Sequence, residues 1–327
     1  MLGNRAIEIV QPGLATTVQD RGRVGCYNLG IPQGGSLDQY SAELANALVG
    51  NTSGEAVLEC TYLGPTLKVT ASIDVAVTGA PVPVKVNGTD RLGWTRINLS
   101  AGDELSFGLI GGGSRFYIAF AGGIDVPLVL GSRSTYPTGV LGGFRGRKLC
   151  AGDVIPIGAR PKPPPRGSQI SDDYKPAFSQ EQRIRIMLGL YDHRLTEKGI
   201  ANLTGQEWTL TPIADRAGLR YDGPGVEWRE RVQPFGAGSD PSNIVDAGYA
   251  VGSIQIPGGT QPIVLHRDAV SGGGYAMVAT VISADMDVLA RAAPGTKTRF
   301  TAVNLDTALA ARRERTSELA AAIGFLA

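Results

Sequence analysis

Residues 254–275 hold the densest group of reactive side chains in this sequence. The apolar run Pro262-Ile263-Val264-Leu265 ends on His266-Arg267-Asp268, and a glycine triplet, Gly272-Gly273-Gly274, precedes Tyr275. Such a run reads as a buried strand. On an extended chain His266 and Asp268, two residues apart, face the same side. That spacing suits a hydrogen-bonded acid/base pair; it equally suits a buried histidine tied by a carboxylate. Glycines let a ligand approach the backbone closely. Ser271, Gly272, Gly273, Gly274 and Tyr275 are therefore candidate ligand contacts. Gln255 and Gln261 flank Ile256-Pro257-Gly258-Gly259 and offer amide groups on either side of it.

Four other blocks carry charge amid glycine and hydroxyl residues. In Gln19-Asp20-Arg21-Gly22-Arg23, two arginines follow a carboxylate. The planar guanidinium fork recognises carboxylates and phosphates, although a turn with Asp20 and Arg21 bonded to the backbone accounts for the block as well. Gly30-Ile31-Pro32-Gln33-Gly34-Gly35-Ser36-Leu37-Asp38 leads into a helix, whose free N–H groups bind anions or are capped by Ser36 or Asp38. Gln33 and Ser36 are the candidates there. Gly131-Ser132-Arg133-Ser134-Thr135-Tyr136 sets Arg133 and Ser134 among small polar residues, followed by the glycines of residues 139–146. Either a polar cleft or a glycine-rich hairpin fits that pattern. Residues 235–243 form a polar loop containing Asp240, and such loops often carry sites.

The elements that must position these groups are mostly short strands. Seven short runs follow a helix expected over residues 36–50: 56–61, 66–70, 75–78, 82–86, 96–99, 104–107 and 115–121. Gly, Asn and Pro punctuate them, which reads as a barrel or sandwich. A first strand is expected over 6–10. The Pro-rich stretch Pro161-Lys162-Pro163-Pro164-Pro165 is the strongest breaker and reads as a stiff spacer. Beyond it, strands are expected at 183–188, 208–212, 218–221, 253–256, 262–265 and 277–282. Helices are expected at 195–203 and over 306–326, the charges of the second forming a solvated face. The expected organisation is thus a β unit over residues 1–160, a linker over 161–181, and a second β unit with a terminal helix over 182–327, the halves being free to interleave.

Composition excludes several classes. Lys+Arg 31 against Asp+Glu 30 gives a net charge of +1, without the basic stripe of a nucleic-acid binder. Gly contributes 45 of 327 residues, about twice the usual share of roughly 7%, so turns outnumber long helices. No apolar run approaches the roughly 18 residues of a membrane helix, and residues 1–11 lack signal-peptide character. Cys26, Cys60 and Cys150 are too scattered for a disulfide framework or, with His193 and His266, for a metal site; a cytoplasmic setting with no resident metal is expected. P-loop, Gly-x-Ser-x-Gly and Rossmann patterns are absent, as is a Met-Lys-Met biotin-attachment signature.

The ordered conjunction of blocks is more specific than any one of them. Val10 to Arg21 (Val-Gln-Pro-Gly-Leu-Ala-Thr-Thr-Val-Gln-Asp-Arg), Leu58-Glu59, Thr78-Gly79-Ala80, Ala121-Gly122-Gly123-Ile124 and Gly131-Ser132-Arg133-Ser134-Thr135 lie in the first half. Gly142-Gly143-Phe144, Ala214-Asp215-Arg216-Ala217-Gly218, Ser253-Ile254-Gln255-Ile256-Pro257 and Gly273-Gly274-Tyr275 follow. Together they resemble the carboxyltransferase-domain family that includes allophanate hydrolase subunit 2, the C-type subunit of 5-oxoprolinase and the carboxyltransferase region of urea carboxylase. The resemblance runs over about residues 6–300. It implies a mainly β fold of two cyclophilin-like β-barrel units with a few short helices and a C-terminal helix.

The resemblance also implies partners and chemistry. Family members work beside a smaller subunit-1 or subunit-B-type protein, with a subunit-A-type protein or a biotin carrier as a further partner. The leading implication is a hydrolase subunit in ATP-dependent amide processing of the 5-oxoprolinase type, with ATP used by the assembled complex. The alternatives are a biotin-dependent carboxyltransferase acting on urea or a related amide, with biotin on another protein, and a non-enzymatic regulatory partner of a kinase inhibitor. In the enzymatic readings Arg21, Arg133 and Arg216 hold anionic groups, and Asp20, Glu59, His266 and Asp268 orient or move protons. Gln255, Gln261 and the 272–274 backbone bind the amide or oxyanion. Two departures from the family pattern, Val270-Ser271-Gly272-Gly273-Gly274-Tyr275 in place of Thr-Thr-Gly-Gly-Tyr and the longer polar insert at 235–249, bear on substrate choice.

Overall fold

The computed structural model describes residues 5–159 and 163–326. The chain divides into two compact units that interleave in sequence. The first comprises residues 1–24, 34–178 and 316–327, and the second residues 25–33 and 179–315. The Pro-rich stretch counts with the first unit from residue 163 to 178; Pro161 and Lys162 lie outside the described residues. Pro165 accepts a hydrogen bond from Arg96 Nη1 (2.8 Å), and Ile170 is fully buried.

The first unit is a two-sheet sandwich with a helix on its outer face. Its elements are β1 (Ala6–Gln11), β2 (Ala15–Gln19), α1 (Gln39–Leu48), β3 (Val57–Thr61), β4 (Thr66–Val69) and β5 (Ile73–Gly79). They continue with β6 (Val84–Val86), β7 (Thr89–Arg91), β8 (Arg96–Leu99), β9 (Glu104–Phe107), β10 (Arg115–Phe120) and β11 (Val154–Pro156). One sheet runs β11-β1-β4-β9-β6-β7, the other β2-β3-β10-β5-β8. The period-2 geometry of a strand explains why β10 is buried along its whole length. Phe116, Ile118 and Phe120 enter the core between the sheets, while Tyr117 and Ala119 face a second core with Tyr40, Leu44 and Leu48 of α1. Asp38 rather than Ser36 caps α1, its carboxylate accepting from Ser41 N–H (3.2 Å) and Ser41 Oγ (2.6 Å).

The second unit is a closed barrel. Its elements are β12 (Glu181–Leu188), α2 (Glu197–Gly205), β13 (Trp208–Ala214), β14 (Gly218–Asp222), β15 (Asn243–Gly248) and β16 (Ser253–Gln255). Then come β17 (Ile263–Leu265), β18 (Gly272–Tyr275), β19 (Met277–Val281), α3 (Met286–Arg291), β20 (Lys297–Ala302) and α4 (Leu305–Gly324), of which the residues from 316 on count with the first unit. The order β12-β19-β16-β17-β14-β13-β20 closes through a parallel β20–β12 pairing. Ile184, Trp208, Tyr221, Ile254, Val264 and Phe300 fill the interior. Thr196 caps α2 by accepting from Gly199 N–H.

The mainly β architecture with few helices and a C-terminal helix is as expected. The closed barrel belongs to the second unit, whereas the strands of the first form two sheets. The sequence reading missed β2, β7, β11, β15, β18 and β20, all short or rich in polar residues and glycine. Among the described residues no helix is long and apolar enough to cross a membrane.

The turn before β11 carries a pH-dependent clasp. Asp153 accepts both Arg147 terminal nitrogens at 2.8 Å and Cys150 N–H at 2.7 Å. The Arg147 hydrogen bonds hold its carboxyl below the usual carboxylate range. A depressed folded-state pKa contributes stability above the unfolded value of about 3.9 and loses it as pH falls through the folded value. Thermal unfolding followed from pH 6 down to pH 2 should show a shallower loss of Tm in Asp153→Asn than in the parent, the two converging at the acid end.

Candidate functional site

Asp20, at the end of β2, organises the polar loop of the first unit. Its Oδ1 accepts from Gly22 N–H (2.7 Å), Ser132 Oγ–H (2.6 Å) and Ser134 Oγ–H (2.5 Å), and its Oδ2 accepts from Arg133 N–H (2.5 Å). Its own N–H donates to Ser134 Oγ, and its carbonyl accepts from Ser36 N–H. One carboxylate thus fixes the whole Ser132-Arg133-Ser134 turn. The turn leaves Arg133 with Nε on the Val126 carbonyl (2.9 Å) and Nη2 at 3.7 Å from Asp125. Asp125 and Val126 line a cavity of about 440 Å3 whose other walls include Pro127, Phe144 and Arg145. The Arg145 guanidinium lies 5.2 Å from the Phe144 ring centre. Gly142 and Gly143 have φ of +65° and +56°, and a Cβ on either would collide with the Ser134 carbonyl or the Thr135 side chain. The glycines are thus required for the hairpin to close over the arginine turn.

Glu59, on β3, is buried. Its Oε2 accepts from Leu37 N–H (2.8 Å) and Tyr117 Oη–H (3.0 Å), and its Oε1 lies 3.8 Å from Arg115 Nε. Tyr117 in turn accepts from Asp38 N–H (2.8 Å). Burial, then the Glu59 and Asp38 charges, push the Tyr117 hydroxyl well above its usual pKa, so it stays protonated as the donor to Glu59. This network pins the entry to α1. Arg21 lies outside it, pairing through Nε with Glu43 (2.6 Å) and also with Ser53. Ser36 Oγ is buried without a hydrogen-bond partner among the described residues.

In the second unit the β14–β17 ladder continues past both strand ends, with His266 N–H on the Ala217 carbonyl and Asp268 N–H on the Arg216 carbonyl. This register sets Arg216 against Asp268 in a forked pair, Nε to Oδ2 at 2.7 Å and Nη2 to Oδ1 at 2.9 Å, both side chains largely buried. The expectation of Asp268 as proton acceptor for His266 meets a different arrangement: both carboxylate oxygens accept from Arg216. The same fork occupies the guanidinium edge that was expected to hold an anion. His266 is buried, and its Nδ1 accepts from Arg267 N–H (2.9 Å). A neutral imidazole accepting at Nδ1 keeps its proton on Nε2.

The glycine triplet forms strand β18, paired with β15 in a two-stranded ribbon, rather than an open loop. Tyr249 Oη clasps this ribbon by donating to the Tyr275 carbonyl and accepting Tyr275 N–H, both at 2.8 Å. Ser271 accepts Tyr249 N–H through its carbonyl. Asp240 accepts Ser242 N–H and Oγ–H, and Ser242 Oγ accepts Gly258 N–H (3.1 Å), tying the polar insert to the 257–259 turn. Gln261 links Arg220 to Asp222 at an exposed edge. Gln255 is buried on β16, and Gln33 is half-buried. Asp20, Arg21, Ser36, Glu59, Arg133 and Ser134 therefore belong to the first unit, and the other candidate residues to the second. Sequence reasoning missed Glu43, Tyr117 and Arg145, which sat in runs that read as helix, strand or hairpin, and Tyr249, at the end of the polar insert.

Residues 29–302 match the family model for the carboxyltransferase domain, subdomains A and B. The chain belongs to this family. Carboxyltransferase-domain relatives align over nearly all of it. The putative urea carboxylase of Emericella nidulans is 33% identical over 94% of this chain and 25% of its own length. The C-type subunit of the Escherichia coli 5-oxoprolinase is 33% identical over 94% of this chain and 95% of its own. In the crystal structure of the K. lactis urea amidolyase, 98% of this chain superposes on 20% of that one with a TM-score of 0.92 and 31% identity. The chain thus spans about a quarter or less of the length of the urea carboxylase and urea amidolyase relatives.

Proposed function

We propose that this carboxyltransferase-domain chain serves as the C-type subunit of an ATP-dependent 5-oxoprolinase, beside a smaller subunit-B-type protein and with a subunit-A-type protein, in the cytoplasm. The observation that carries this reading is the alignment with the C-type subunit of the Escherichia coli 5-oxoprolinase, which runs along nearly the full length of both chains. The first-unit cavity supports it. Its volume suits a small ring, its Val126, Pro127 and Phe144 walls suit ring carbons, and Arg145 at its edge suits a developing negative charge. Within this reading Arg133 and Arg145 hold the polar edge of the lactam, and Asp20 positions the turn that carries Arg133.

A second reading, biotin-dependent carboxyl transfer to urea or a related amide, draws on the structural match to the urea amidolyase. The same cavity fits the ureido ring of a biotin borne by another protein. ATP and biotin both enter at the level of the assembly.

The chain co-purified with its B-type and A-type partners, supplied with ATP and 5-oxoproline, should release phosphate and glutamate together, and Arg133→Ala should lower that turnover at least tenfold. A parallel sample receives ATP, bicarbonate, urea and a biotinylated carrier with its carboxylase. Carboxylation there, with no glutamate in the first sample, replaces the first reading by the second.

A further inference from the structure

Arg194 and Arg231 lie in the second unit, outside every group described above. The segment around Trp228 runs antiparallel to that around Leu195. The two residues bridge directly, and Arg229 N–H donates to the Arg194 carbonyl (2.8 Å). In that register Arg194 lies opposite Arg229, and Arg231 follows two residues on along the same segment. Arg194 is held in place. Its guanidinium stacks 4.7 Å from the Tyr191 ring centre, and its Nη1 donates to the Asn243 carbonyl (3.0 Å).

Both Nε–H groups, on Arg194 and on Arg231, are buried without an acceptor among the described residues. Arg231 makes no hydrogen bond or ion pair among those residues, and no carboxylate among them pairs with Arg194. Three acids from these segments have other partners: Asp192 accepts from His193 N–H, Glu227 pairs with Lys198, and Asp240 accepts from Ser242. Burial first, and then the Arg231 charge, lower the Arg194 pKa; the two cations therefore repel one another. Buried cations are normally paired. Two half-buried guanidinium groups of like charge, with inward Nε–H donors and no counter-charge, form an incomplete constellation.

We propose that Arg194 and Arg231 form an anion-binding site that takes a carboxylate or phosphate group of a small-molecule ligand. The planar forks supply charge-assisted donors in the geometry such oxyanions accept. Arg194, fixed by Tyr191 and Asn243, orients the anion, while Arg231 closes on it. The proposal is independent of the 5-oxoprolinase reading, since it concerns ligand chemistry rather than turnover.

The test uses the whole chain, with inorganic phosphate and acetate as probes and chloride at matched ionic strength as control. Saturable binding of at least one probe by calorimetry, with a Tm increase of about 2–5 °C at saturation, is expected in the parent. Arg231→Gln should weaken that binding at least tenfold, and Arg231→Lys should keep part of it. Binding of phosphate alone assigns a phosphate ligand, and binding of acetate alone a carboxylate. Without a probe, Arg231→Gln should leave Tm unchanged or raise it, because the variant removes an uncompensated charge. Equal behaviour of parent and Arg231→Gln towards both probes, or a probe-free fall in Tm of several degrees in the variant, overturns the proposal.

Discussion

Asp20→Ala should lower the stability of the first unit by about 3 kcal/mol, a Tm loss of roughly 6–12 °C. Four donors converge on this carboxylate: Gly22 N–H, Arg133 N–H and the hydroxyls of Ser132 and Ser134. Hydrogen bonds to a charged acceptor contribute about 1.5–3 kcal/mol each, and those converging on one group do not add fully. Asp20→Asn is the sharper variant. An amide nitrogen cannot accept, so either the Oδ1 cluster or Arg133 N–H meets a donor. Differential scanning calorimetry reads the loss, and proteolysis at residues 131–136 reads the release of the turn. A catalytic Asp20 predicts the opposite pattern, an unchanged Tm with kcat removed, and that outcome would displace the positioning role.

Glu59→Gln should cost about 3 kcal/mol for a related reason. Glu59 and Arg115 are both buried, and removing one partner of a buried ion pair leaves the other charge uncompensated. The amide retains an oxygen for Leu37 N–H or Tyr117 Oη–H but not the charge beside Arg115. A double variant, Glu59→Leu with Arg115→Met, should recover part of the loss, because it removes both charges at once. Urea unfolding of the parent, the two single variants and the double variant gives the coupling. Additive losses would show that Glu59 and Arg115 act separately.

Much of the fold was legible locally. Helix α1 follows from apolar residues at helical spacing after Asp38, α2 from Thr196 ahead of its first turn, and β10 from a six-residue run of large side chains. The missed strands share a different property. β18 is three glycines and a tyrosine, with no periodic apolar signal, and it is a strand only because β15 and the Tyr249 hydroxyl give it partners. β2, where no element was expected, is nearly all buried because β3 lies along it.

The candidate residues divide along the same line. The residue types, the mainly β class and, through the ordered blocks, the family are all readable in the linear chain. These depend on side-chain chemistry and short-range spacing, which a linear chain displays. What each charge does depends on long-range pairing in the folded chain. Asp20 meets Ser132 and Ser134 across more than a hundred residues, and Asp268 meets Arg216 across fifty-two. Whether a carboxylate is a proton carrier or an anchor depends on which donors reach it, and those donors come from strands paired far apart in sequence. Arg194 and Arg231 are the converse case. In the sequence they are unremarked basic residues, and only the folded chain brings their charges together without an acid to balance them.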